Sequence, residues 1–202
     1  MKTIMYLTLL GLFALSAWND PYSKLQWLSK LKDDHIEVFK SNAQKNQTAF
    51  KFVADLQAER EEIVTYLFDI EMMRAKFPMC STFEVLEQSD NEYTFYIVLD
   101  FPRPIRDRDM VVKVKLEQGK DGRQLIITEG IPHYREKEPK LVRIPVLESR
   151  TILKVAEDHA SVIQYSKFDL GGTVPKFLVD MIIPKQIQLS FYKMKSALES
   201  RI

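Results

Sequence analysis

The most restrictive feature of this sequence lies near its end. Gly171-Gly172 closes a long succession of alternating segments, and over residues 173–200 the apolar period becomes that of a helix. Ile187, Phe191, Met194 and Leu198 form one stripe, at spacings of four, three and four. Pro184 removes one backbone hydrogen bond inside this stretch, which predicts a kink. The two glycines supply a sharp strand-to-helix turn, and Thr173 is placed to cap the helix. A long one-sided helix that follows many strands has to bury its stripe against the sheet those strands make.

The segments before it fit that demand. Residues 35–42 and 49–57 read as strands joined by the polar stretch 41–48. In the second, Phe50, Phe52, Ala54 and Leu56 alternate with Lys51, Val53 and Asp55. Residues 59–76 read as a helix, with Glu59, Glu61 and Glu62 in the first turn, where the helix dipole favours acids, and Phe77-Pro78 at its end. Strands follow at 82–87, 92–100, 109–117, 123–131, 148–156 and 161–168. They are separated by Ser89-Asp90-Asn91, the Gly-containing loop 118–122, the charged loop 132–140 and Glu157-Asp158-His159. Residues 20–32 predict a further short helix, with Asp20 as N-cap, Pro21 in the first turn and Leu25, Leu28 and Leu31 on one face. The expected fold class is α+β, a single domain with a mostly antiparallel sheet and no repeat or linker.

Residues 1–17 stand apart. Lys2 precedes an uncharged apolar run, and small residues Ala14, Ser16 and Ala17 follow, the layout of a secretory signal peptide. The run is too short for a comfortable membrane span, which takes about 20 residues. Cleavage after Ser16 or Ala17 leaves residues 18–202 as the working domain, exported to a bacterial periplasm or secreted. The sequon Asn46-Gln47-Thr48 keeps eukaryotic secretion open.

Composition excludes several function classes. The chain of 202 residues carries 29 basic and 28 acidic side chains, and removal of residues 1–17 leaves 28 of each. Such a balance gives no drive towards phosphate backbones, so no nucleic-acid partner is expected. One cysteine, Cys80, forbids an internal disulfide, and His35, His133 and His159 are scattered, so neither a metal nor a cofactor is expected. Cys80 reads as a small core residue, because no base is near it in sequence. A monomer is expected.

Two segments sharpen the expectation. FPRPIRDRDMV (101–111) resembles a pattern of Pro, a few residues, then Arg-Asp-aromatic-Val. DLGGTVPKFLVDM (169–181) resembles the pattern DPGGxIPKWLVNM, and LVRIPV (141–146) looks like the strand start before the last hairpin. With the order of elements, these resemble the START (StAR-related lipid-transfer) domain of the helix-grip, Bet v 1-like superfamily, in a bacterial exported member, over roughly residues 20–200. The resemblance implies a curved sheet wrapped around the C-terminal helix, a hydrophobic tunnel for one lipid, a lid formed by that helix and a neighbouring loop, and no reaction. The chain departs from the patterns at Leu170 and Asp180. Val114 stands where some members carry a cavity arginine. A sterol-type or phosphate-type assignment therefore does not carry over.

The expected ligand-binding residues are Phe95, Tyr96 and Tyr165 on strands, Phe177, Met181, Phe191 and Met194 on the last helix, and a charged pair of Arg108 with Glu129. Parity puts Arg108 on the face of Met110, Val112 and Val114, where a charge needs a partner. Glu129 is the candidate, either gripping a head group with Arg108 or forming a structural ion pair, the preferred reading. The partners implied are a lipid or other hydrophobic small molecule and, transiently, a membrane. A cavity enzyme of the cyclase, aromatase or hydrolase kind, using Glu129, Arg108 and Tyr165 as acid–base groups, is the alternative. A domain with a filled core is a third reading, and a cavity volume separates it from the other two.

Overall fold

The computed structural model describes residues 22–44, 47–75, 77, 79–119, 123–155 and 160–199. The leader-like segment, Asn46 and the turn Glu157-Asp158-His159 lie outside the described residues. The elements are β1 (Leu28–Lys32), β2 (Ile36–Gln44), β3 (Gln47–Leu56), α1 (Arg60–Phe68), α2 (Ile70–Ala75), β4 (Cys80–Ser89), β5 (Glu92–Leu99), β6 (Arg108–Gln118), β7 (Gln124–Gly130), β8 (Val142–Arg143), β9 (Val146–Val155), β10 (Ala160–Asp169) and α3 (Lys176–Glu199).

The strands pair into one curved, unclosed sheet in the order β1-β2-β3-β10-β9-β7-β6-β5-β4. Every pair along this path is antiparallel, and the two-residue β8 adds to β6 in parallel. Alternation explains the two faces. Met110, Val112 and Val114 of β6 turn to the concave side with Phe50 of β3 and Phe95 of β5, while Lys113 and Lys115 turn out. The helices α1, α2 and α3 cover the concave side, and Ile63, Tyr66 and Leu67 of α1 are buried there with Phe191, Met194 and Leu198 of α3. The result is the α+β, helix-grip architecture expected from the sequence.

Three local expectations fail, each for a physical reason. Residues 20–32 do not make a helix in their described part. Tyr22 stacks on Tyr165 at 5.0 Å, Trp27 tilts against the same ring at 6.0 Å, and the chain then adds β1 to the edge of β2. An aromatic seat and a sheet edge outweigh a three-leucine stripe, and Leu28 is left 66% exposed. The helix expected over 59–76 is broken at Asp69, whose extended backbone (ψ 135) ends α1. Its carboxylate accepts the Met72 amide at 2.9 Å, which starts α2. Thr173 does not cap α3, which begins three residues later; the Leu178 amide bonds to the Pro175 carbonyl instead. α3 then runs unbroken through Pro184.

Gly171 sets the start of α3. Its φ is +68°, and a Cβ there would lie 3.0 Å from the Arg143 carbonyl oxygen. The Gly171 amide is taken by the Asp169 carboxylate at 2.8 Å. The turn into the helix is thereby held against β8.

Candidate functional site

Helix α3 crosses the concave face without filling it. Between them lies a cavity of about 330 Å³, towards the small end of the usual range for ligand sites, about 300–1,000 Å³. Strand parity decides who lines it: odd-numbered residues of β5 and β9, and even-numbered residues of β3, β6, β7 and β10. Phe52, Phe95, Val112 and Ile126 are examples. From α3 come Ile183, Ile187, Phe191 and Met194, and Tyr66 and Met73 enter from α1 and α2.

No described lining residue is charged. Tyr66 is the one lining phenol, and burial, with the nearby Asp69 carboxylate, pushes its pKa up and keeps it neutral. On the sheet side, the lining has one polar region. Thr128, Ser149 and Ser166 stand side by side across β7, β9 and β10, and Thr151 and Gln164 form the next row. Ser149 and Ser166 hydroxyls are 3.0 Å apart, the Gln164 amide donates to Ser166 at 3.0 Å, and Thr151 donates to the Gln164 carbonyl oxygen at 3.3 Å.

Of the residues expected to bind ligand, Phe95, Phe191 and Met194 line the cavity. The other six do not. Tyr96 has the opposite parity to Phe95; its hydroxyl donates to Asp109 at 3.4 Å, and the Arg135 guanidinium lies 4.1 Å from its ring. Tyr165 is on the convex face under Tyr22. Glu129 is exposed on that face, opposite Lys113 in register. Arg108 keeps the expected parity and is 2% exposed, but it sits at the end of β6. Its guanidinium lies 4.7 Å from the Phe101 ring and donates to the Arg106 carbonyl. The Arg108–Glu129 pair does not form, because the two are on opposite faces and about five strand residues, some 17 Å, apart. Phe177 and Met181 point away from the cavity, 67% and 51% exposed.

The charged groups that matter structurally lie elsewhere. Asp109 is paired with Arg143, and Lys40 on β2 is bonded to Asp180 on α3, with Lys30 3.8 Å from the same carboxylate. About two turns later, Gln188 of α3 donates to Asp33 at 2.7 Å, and Tyr192 donates to Asp33 as well. One flank of α3 is thus fastened to the β1–β2 hairpin by polar contacts.

A concave sheet gripping one helix over an apolar hollow defines a cavity protein of the helix-grip class. No family model matches the chain. The chain is 22% identical over 203 residues, the full length of both, to the uncharacterized protein PA1579 of Pseudomonas aeruginosa. It superposes on a STAR-related lipid transfer protein of Xanthomonas axonopodis with a TM-score of 0.74 at 24% identity, covering 86% of this chain and 98% of that one. Human StAR-related lipid transfer protein 5 gives 0.70 at 14%, covering 86% of each chain. The Zhui aromatase/cyclase of a Streptomyces species gives 0.57 at 10%, covering 77% of this chain and 95% of that one. The fold is that of the START domains.

Proposed function

We propose that this chain binds a lipid or other hydrophobic small molecule in the cavity under α3, and exchanges it with a membrane, without chemical transformation. The observation that carries the reading is the uncharged, largely apolar lining. Removing apolar ligand surface from water yields about 25 cal/mol per Å², so affinity needs no ionic contact. The START fold and the similarity to the STAR-related lipid transfer protein of Xanthomonas support it.

The membrane part rests on the outer side of α3. Phe177 and Met181 are one turn apart and exposed, and exposed Lys176 and Lys185 flank them. The leader-like residues 1–17 support work outside the cytoplasm. The cyclase-like fold neighbour motivates catalysis, but such chemistry needs an acid or base in the cavity. Glu129, Arg108 and Tyr165 are all absent from the described lining.

The test is native mass spectrometry of the purified domain, followed by uptake of N-phenylnaphthylamine after delipidation. A co-purifying lipid, or saturable probe uptake at one site, supports the reading. Failure of both defeats it.

A further inference from the structure

We infer that the cavity selects an uncharged lipid whose polar group is a hydroxyl; this rests on the binding reading above and names its ligand class. The argument starts from where polar atoms lie on the concave face. They are not scattered but contiguous, in register across three strands: Thr128 beside Ser149 beside Ser166, with Thr151 beside Gln164 in the next row. Valine or leucine at these positions would have completed an apolar wall. Five adjacent hydroxyl and amide side chains instead make a neutral hydrogen-bonding patch.

The patch has a direction. Thr151 donates to Gln164, and Gln164 donates to Ser166. Ser149 and Ser166 share one hydrogen bond in which either hydroxyl can donate, so one of their two hydroxyl hydrogens is left for an oxygen inside the cavity. From the opposite wall, Gln186 of α3 lines the cavity, and its Oε1 is buried with no hydrogen-bond partner. A free donor and a free acceptor together match a hydroxyl, which accepts one bond and gives one. They do not match a carboxylate or phosphate, which brings a charge into a lining with no described counter-ion. Of the two buried guanidiniums, that of Arg108, whose Nε also has no hydrogen-bond partner, packs on the Phe101 ring, and that of Arg143 is paired with Asp109; neither is among the lining groups.

The experiment uses the full chain stripped of lipid and displacement of N-phenylnaphthylamine by dodecanol or dodecanoate at about pH 8, where the acid is ionised. Dodecanol is expected to displace the probe at concentrations lower by about tenfold or more. In the double variant Ser149→Ala/Gln186→Leu, the affinity of dodecanol relative to that of the probe is expected to fall by about tenfold. Thr128→Val, an isosteric change, is read the same way and serves if the double variant does not fold. Dodecanoate binding as tightly as dodecanol overturns the inference, and so does dodecanol affinity that the variants leave unmoved. A wild-type chain that takes up neither the probe nor dodecanol overturns the binding reading itself.

Discussion

Asp109 and Arg143 face each other across β6 and β8 as a buried, two-point ion pair. Arg143 Nε is 3.0 Å from one carboxylate oxygen and Nη2 is 2.7 Å from the other. The same guanidinium donates to the carbonyls of Pro132, Arg135 and Glu136 at 2.6–3.1 Å, so it organises the charged loop 132–140. Tyr96 adds its hydroxyl to Asp109. Two buried charges stabilise only when hydrogen bonds replace the lost water, and here the guanidinium makes five such bonds and both carboxylate oxygens accept. Asp109→Asn leaves Arg143 buried and unpaired, and it is expected to cost about 3–5 kcal/mol in urea denaturation. A loss below about 1 kcal/mol would mean that water reaches the pair.

Gly171 and Gly172 separate two causes of backbone cost. Both have positive φ, but only Gly171 would press a Cβ against the Arg143 carbonyl; at Gly172 the nearest atom is a Val142 methyl at 3.7 Å. Gly172→Ala is expected to lose about 1 kcal/mol from the left-handed backbone alone, and Gly171→Ala about 2–3 kcal/mol. Equal losses in thermal or urea unfolding would remove the role given to the close approach.

The polar flank of α3 predicts a flat pH response near neutrality. Burial raises the Asp33 pKa, but bonds from the His35 and Ile36 amides, Gln188 and Tyr192 outweigh it and hold the carboxyl below its ordinary 3.8. Its contribution is therefore complete above the unfolded value and is lost as pH falls through the folded one. Tyr192 moves the other way: burial first, then Asp33, raises its pKa above 10.0. Its contribution is complete below 10.0 and is lost as pH rises through the folded value. Stability from this contact should not change between about pH 5 and 9. Asp33→Ala should flatten the acid limb of urea unfolding below about pH 4. Superimposable acid limbs would show that the contact contributes nothing.

Ser190 and Phe177 lie on opposite sides of α3 and should separate binding from exchange. Ser190 lines the cavity, so Ser190→Trp fills it and is expected to weaken probe binding by about tenfold or more with the fold retained. Phe177→Ser should leave equilibrium binding as it is and slow transfer to phosphatidylcholine vesicles by about threefold or more. Unchanged transfer would leave the exposed pair without a membrane role.

Much of the sheet could be read because its strands alternate. Lys113 and Lys115 mark the outer side of β6 without ambiguity, and Phe50 and Phe52 mark the inner side of β3. The polar patch was hidden because both phases of its strands look alike. In β10, Ser161, Ile163 and Tyr165 oppose Val162, Gln164 and Ser166; in β7, Leu125 and Ile127 oppose Ile126 and Thr128. Only pairing with β3 and β9 decides which phase faces inward. The partner of Arg143 was equally hidden, since β8 is two residues long and pairs in parallel. The fate of residues 22–32 depended on Tyr165, far away in sequence, which no local pattern reports.

The pairing of β3 with β10 also sets a timetable. Asp55 and Ser161, bonded across it, are 106 positions apart, and α3 is made later still. A growing chain can lay down its early hairpins, but the two wings of the sheet stay unjoined until the final strand emerges. Until then the future cavity is an open trough of phenylalanine and isoleucine. An enclosed interior, and with it any uptake of the proposed ligand, belongs to the finished molecule; a chain cut short before β10 has none.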